Sequence, residues 1–244
     1  MHHVLARQFS YEYFPYITEV QRNAFILGAI YADGFDKSIT HSAPRLSNML
    51  NQIEDPESEL YWFFMGNYAH IGPDLFAHAG RARSFIVSHG LKHHASEVIV
   101  DSLINHLYHP NFPVLTQPLK DGLNELGVRP IKMFRFFYPV IFLVSKLPFY
   151  KFLPKVQNDR CPRGGLDLSI CNFQRHYEAM IESMRMIFPR IHDDSFTNRR
   201  MQEMATALVF EVQCCEVPPA NNTNNQFEAN LCPQPNAFVS GSML

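Results

Sequence analysis

Residues 64–78 read Phe64-Met65-Gly66-Asn67-Tyr68-Ala69-His70-Ile71-Gly72-Pro73-Asp74-Leu75-Phe76-Ala77-His78. Just upstream, Asp55, Glu57, Ser58 and Glu59 supply the acids and hydroxyl that favour a helix start, where the helix dipole welcomes negative charge. The apolar run YWFFMGNYAH continues from there without the period-2 alternation of a strand. On a helix, His70, Asp74 and His78 stand at i, i+4 and i+8. Successive members rotate by about 40°, so the three share one face. Pro73 removes one backbone hydrogen bond, which places a bend or a boundary at Gly72-Pro73.

Working outward, the rest of the chain reads the same way. Residues 2–9 suit a short helical piece. Residues 18–32 suit a buried helix ending near Asp33-Gly34. A polar loop with Pro44 follows. Residues 84–108 read as one long helix or two, 173–188 as a helix with Met180, Ile181, Met184 and Ile187 facing a core, and 195–212 as another. Residues 131–153 are strongly apolar but broken by Lys132, Arg135, Lys146 and Lys151. They are too interrupted to span a bilayer, and suit either a buried helix pair or an interfacial, lipid-touching surface. Strand and hairpin signals are scarce. The expected fold is all-α and multi-helix over residues 1–216, with a Pro- and Asn-rich loose tail over 217–244.

Composition narrows the function. At 244 residues and 46% apolar content, the chain can bury a sizeable core. Its net charge of -2 gives no broad attraction to nucleic acid or acidic membranes. Histidine is the outlier. Of twelve copies, seven (His70, His78, His89, His93, His94, His106 and His109) fall between residues 70 and 109. Imidazole is a favoured zinc ligand, so such clustering points to a metal site. The five cysteines form no CxxC pair, so a thiolate zinc knot is not expected. Cys161 with Cys171, or Cys232 with Cys214 or Cys215, could be disulfides in an exported protein; free buried thiols are the equal alternative.

Spacing sharpens the metal reading. His70 and His78 lie roughly 12 Å apart along a helix axis, while zinc–nitrogen bonds are only about 2 Å long. Two metals therefore suit the pair better than one, with Asp74 between them as a bridge. His93 and Glu97 repeat the i, i+4 relation on the next helix. Together these five residues read as a multinuclear zinc site. Zinc ions neutralise the charge that grows on a phosphodiester and acidify a bound water. A nearby carboxylate such as Asp33 could take the proton.

At this point the chain resembles the zinc-dependent phospholipase C family, whose relatives include the catalytic domain of glycosylphosphatidylinositol-specific phospholipase D and the single-strand-specific fungal nucleases. Residues 25–34 (FILGAIYADG) are similar to the family's "LGA…PDG" block, with Ala32 where proline is usual. Residues 64–78 are similar to its "GxxxHxxxDxxxH" block, and His93 to Asp101 to its "HxxxE" helix. Residues 2–7 (HHVLAR) are similar to its "THxxIA" helix, with His2 in the ligand phase. The resemblance covers about residues 2–110. It implies a helical domain with three zinc ions. Asp33, His41, His70 and Asp74 would surround the first; Asp74 would bridge to a second, completed by His2 and the amino terminus; His78, His93 and Glu97 would hold the third. It also implies secretion, although the opening Met-His-His-Val-Leu-Ala lacks the basic and apolar regions of a signal peptide.

The expectation is a monomeric zinc phosphodiesterase acting on a phospholipid or lipid-anchored head group. Transient membrane-surface contact would follow; a stable nucleic-acid partner would not. One alternative is a single-strand nuclease or nucleotidase on the same fold, which would want basic grooves and stacking platforms. Another is a non-catalytic metal-binding helical module lacking a complete N-terminal zinc site. His192-Asp193 is a weak metal-phosphohydrolase dipeptide, better read as a solvated loop.

Overall fold

The structure is a computed structural model and describes residues 1–34, 37–78, 101–128 except 103, 107, 109 and 110, and 170–191, with positions 143, 147, 193, 197 and 199–204. Every regular element among the described residues is helical. In chain order these are α1 (His2–Tyr13), α2 (Glu19–Tyr31), a 3-10 turn (Ala32–Gly34), α3 (Lys37–Thr40), α4 (Ala43–Gln52), α5 (Glu59–His78), α6 (Gln117–Glu125), α7 (Ile170–Ile187) and a second 3-10 turn (Phe188–Arg190). Among the described residues no helix is long and apolar enough to cross a membrane.

The most extensive contact joins α2 to α5. Two glycines make it possible. A Cβ on Gly28 would lie 1.9 Å from the Phe63 carbonyl oxygen, and one on Gly66 would lie 1.9 Å from that of Phe25. Only hydrogen fits at either place, so the two backbones touch. α2 enters this contact from a capping box. The Thr18 hydroxyl accepts from the Gln21 amide, and the Gln21 side chain accepts from the Thr18 amide at 2.8 Å. The core beside it is aromatic. Phe9, Phe14, Phe25 and Tyr68 all meet the Phe188 ring, with centroids 5.3 to 6.2 Å apart. On α7, Met180, Ile181, Met184 and Ile187 are buried, as their i, i+4 spacing predicts.

Two expectations need correction, and one helix was missed. The polar loop around Pro44 is in fact α3 and α4. Pro44 sits in the first turn of α4, where the missing N–H has no partner to lose, and Leu46 and Leu50 bury one face. Gly72-Pro73 does not divide the helix. α5 runs unbroken to His78 with Pro73 inside it. At Gly72 a Cβ would meet the backbone of Ser183 at 3.0 Å, so packing on α7 holds that turn in place. α6 was not expected at all, although Thr116 caps it by accepting from the Leu119 amide and a proline lies in its first turn. Asp101, Ser102, Ile104 to His106 and Tyr108 are helical, as are residues 199–204, in line with the helices expected there. Residues 79–100, the tail from 217, and all of 131–153 but Leu143 and Leu147 lie outside the described residues.

Candidate metal centre

α5 contributes His70 and Asp74, one turn apart on one face. His70 lies one turn beyond Gly66, which is why its ring reaches α2. Its Nδ1 donates to the Ala29 carbonyl at 2.9 Å, and the side chain is fully buried. That bond fixes the tautomer, because a neutral imidazole carries one N–H. The lone pair is left on Nε2, which makes no hydrogen bond. It faces Asp33 Oδ2 at 3.6 Å and Asp74 Oδ1 at 4.0 Å.

Asp33 is delivered by the 3-10 turn that ends α2. His41 follows α3 and closes the other side. Its Nε2 lies 3.3 Å from Asp33 Oδ1 and 3.7 Å from Asp74 Oδ2. Its ring meets that of His70 edge-on, with centroids 5.1 Å apart. His2 arrives from the start of α1, its ring tilted against His70 with centroids 4.0 Å apart. Burial, and then the neighbouring His70, push the His2 pKa well below the usual imidazole value, against the pull of Asp33 and Asp74. His2 is thereby held neutral, the form that ligates metal. The amino group of Met1, beside it, pairs with Asp101.

Ligand atoms of His2, Asp33, His70 and Asp74 all lie within 4.8 Å of one another. Four groups able to ligate, two of them carboxylates, therefore lie close together. The cluster could hold a metal ion, and imidazole with carboxylate is a donor set that several divalent metals, zinc among them, accept.

Of the eight residues singled out as ligands, the structure thus brings five together: His2, Asp33, His41, His70 and Asp74. The backbone of His78 closes α5, while its side chain, His93 and Glu97 lie outside what is described. Sequence reasoning missed the two groups that orient the histidines, the Ala29 carbonyl and the Thr40 hydroxyl. Their only sequence signal is adjacency: Ala29 follows the contact glycine Gly28, and Thr40 precedes His41.

Comparison of the chain with protein families, with curated proteins and with solved structures gave no match in any of the three. What fold and site define is therefore a class: a protein helical over its described residues, with a His/Asp cluster that could hold a metal ion.

Proposed function

We propose that the chain is a zinc-dependent phosphoric diester hydrolase related to the zinc-dependent phospholipase C family, acting on a phospholipid or a lipid-anchored head group. One observation carries this reading. His2, Asp33, His70 and Asp74, drawn from three separate blocks of the resemblance, converge within 4.8 Å, with His41 beside them. Blocks that matched by chance would have no reason to meet in space.

In this reading Asp33, His41, His70 and Asp74 would hold one zinc, and His2 with Asp74 would contribute to a second. His78, His93 and Glu97 would serve a third. Bound zinc supplies charge neutralisation at the phosphodiester and acidifies a water. The protein's own groups divide the rest. His70, fully buried and tied to Ala29, is oriented by that bond. Asp74, 17% exposed, is enclosed between His41 and His70. Asp33, 44% exposed, is the carboxylate with access to solvent, and its Oδ atoms take the proton from the attacking water.

The test has two stages. Elemental analysis of the purified chain should find about three zinc ions per molecule. Hydrolysis of phosphatidylcholine vesicles, of a glycosylphosphatidylinositol-anchored protein and of single-stranded DNA then separates the substrate classes. Asp33→Asn should lower the rate on the true substrate by roughly 10²–10⁴-fold. A zinc-free chain, inert on all three after zinc is added, would sink the proposal. Turnover of DNA alone would keep the metal chemistry and replace the substrate.

A further inference from the structure

We infer that Thr40 is a positioning residue for this metal centre: its hydroxyl sets which nitrogen of His41 is presented to the metal. The inference rests on the metal-site reading above and adds a group outside the ligand set. Thr40 is buried, at 1% exposure. Its Oγ1 lies 2.6 Å from the Ala32 carbonyl oxygen and 2.9 Å from His41 Nδ1. A hydroxyl has one hydrogen to give. The carbonyl of Ala32 can only accept, so the Thr40 hydrogen goes there. Toward His41 the hydroxyl oxygen is then an acceptor, and Nδ1 must be the nitrogen that carries hydrogen. The lone pair of the neutral ring falls on Nε2, the atom 3.3 Å from Asp33 and 3.7 Å from Asp74.

The relay has a second consequence. Ala32 is the residue immediately before Asp33, so one hydroxyl ties the turn carrying Asp33 to the residue carrying the facing imidazole. Thr40 thereby orients two ligands from opposite sides of the cluster. The arrangement parallels that of His70, whose Nδ1 is held by the Ala29 carbonyl. Ring orientation by an outer hydrogen bond of this kind is typically worth 10–100-fold in metal affinity.

The experiment is a competition titration of zinc against a chromophoric chelator on the full chain. It compares wild type, Thr40→Val and Thr40→Ser, each checked for helix content by circular dichroism. Thr40→Val keeps the shape and removes the hydroxyl, and should weaken zinc binding by about 10–100-fold. Thr40→Ser restores the hydroxyl and should stay within about threefold of wild type, well inside that range. In parallel, long-range proton–nitrogen correlation on the wild-type protein reads the His41 tautomer directly, with His41→Gln assigning the signal. Hydrogen on Nδ1 is the expected result, and this arm stands even where Thr40→Val fails to fold. Hydrogen on Nε2, or a folded Thr40→Val with wild-type affinity, or a Thr40→Ser as weak as Thr40→Val, overturns the role of Thr40 and leaves the metal centre intact. A wild-type chain that takes up no zinc overturns both.

Discussion

Gly28 and Gly66 occupy matching places on the two sides of one helix contact, Gly28 against the Phe63–Asn67 turn of α5 and Gly66 against the Phe25–Ala29 turn of α2. One residue beyond Gly28 is the carbonyl of Ala29, and one turn beyond Gly66 is His70, which donates to it. Close packing and ligand orientation are thus the same event. Alanine at either glycine gains helix propensity, about 0.5–1 kcal/mol. It also drives a methyl into a main-chain carbonyl that has no rotamer with which to escape, and overpacking of this kind costs roughly 1–3 kcal/mol or more. The clash wins. Gly66→Ala should lower the melting temperature, and the zinc affinity of the folded fraction should fall with it as α5 moves away from Ala29. Thermal unfolding followed by zinc titration checks both. A Gly66→Ala protein as stable as wild type would show that the helices do not touch there.

What the sequence disclosed of this site is what lies close along the chain. His70 and Asp74 share a face because a helix puts i and i+4 there, whatever the rest of the molecule does. The prolines were misjudged for a local reason. Pro44 falls in a first turn, where it is neutral, and Pro73 falls inside a helix that packing against Ser183 sustains. The convergence of His2, Asp33 and His41 on His70 depends on how α1, α2 and α3 dock, and periodicity carries no such information; the resemblance placed those residues. The orienting partners were illegible altogether. Ala29 acts through its carbonyl, which every residue has, and Thr40 through one of many hydroxyls.

Thr18→Ala offers a stability change that should leave the metal centre alone. Thr18 caps α2 eleven residues before Ala29, and its hydroxyl accepts from the Gln21 amide. Losing an N-cap costs about 1 kcal/mol, or roughly 2–4 °C in a chain of this size. Zinc stoichiometry should be unchanged, since the α2–α5 contact remains. The pair Thr18→Ala and Gly66→Ala therefore separates loss of stability from loss of ligand geometry. Equal zinc loss in both would mean that affinity simply follows stability.

Removing metal should destabilise the fold. An ion that binds only the native chain adds about 2.7 kcal/mol when present at 100 times its dissociation constant. At roughly 2–4 °C per kcal/mol, a chelator should lower the melting temperature by about 5–10 °C. Added zinc should restore it. Asp74→Asn takes away a carboxylate facing both His41 and His70. The variant should keep only the part of the chelator response that a zinc on His78, His93 and Glu97 contributes, and a full wild-type response from it would remove Asp74 from the centre.

His3 predicts how the fold responds to acid. Its ring is buried against Phe112, with centroids 4.8 Å apart, and neither nitrogen makes a hydrogen bond. Burial, with the amino terminus and Arg7 adding to it, pulls its pKa from 6.5 down to about 3. The folded state therefore refuses a proton that the unfolded chain accepts. The stabilising difference is complete above pH 6.5 and is lost as pH falls from there toward 3, at about 1.4 kcal/mol per pH unit. By pH 5 the loss from His3 alone is about 2 kcal/mol. His3→Leu removes both the titration and two unsatisfied buried nitrogens, which are costly to bury without partners. Urea unfolding of the metal-free protein between pH 7.5 and 5 should therefore show a flatter decline for His3→Leu than for wild type, starting from equal or higher stability at pH 7.5. Parallel declines would mean that His3 gains a partner or reaches water once protonated.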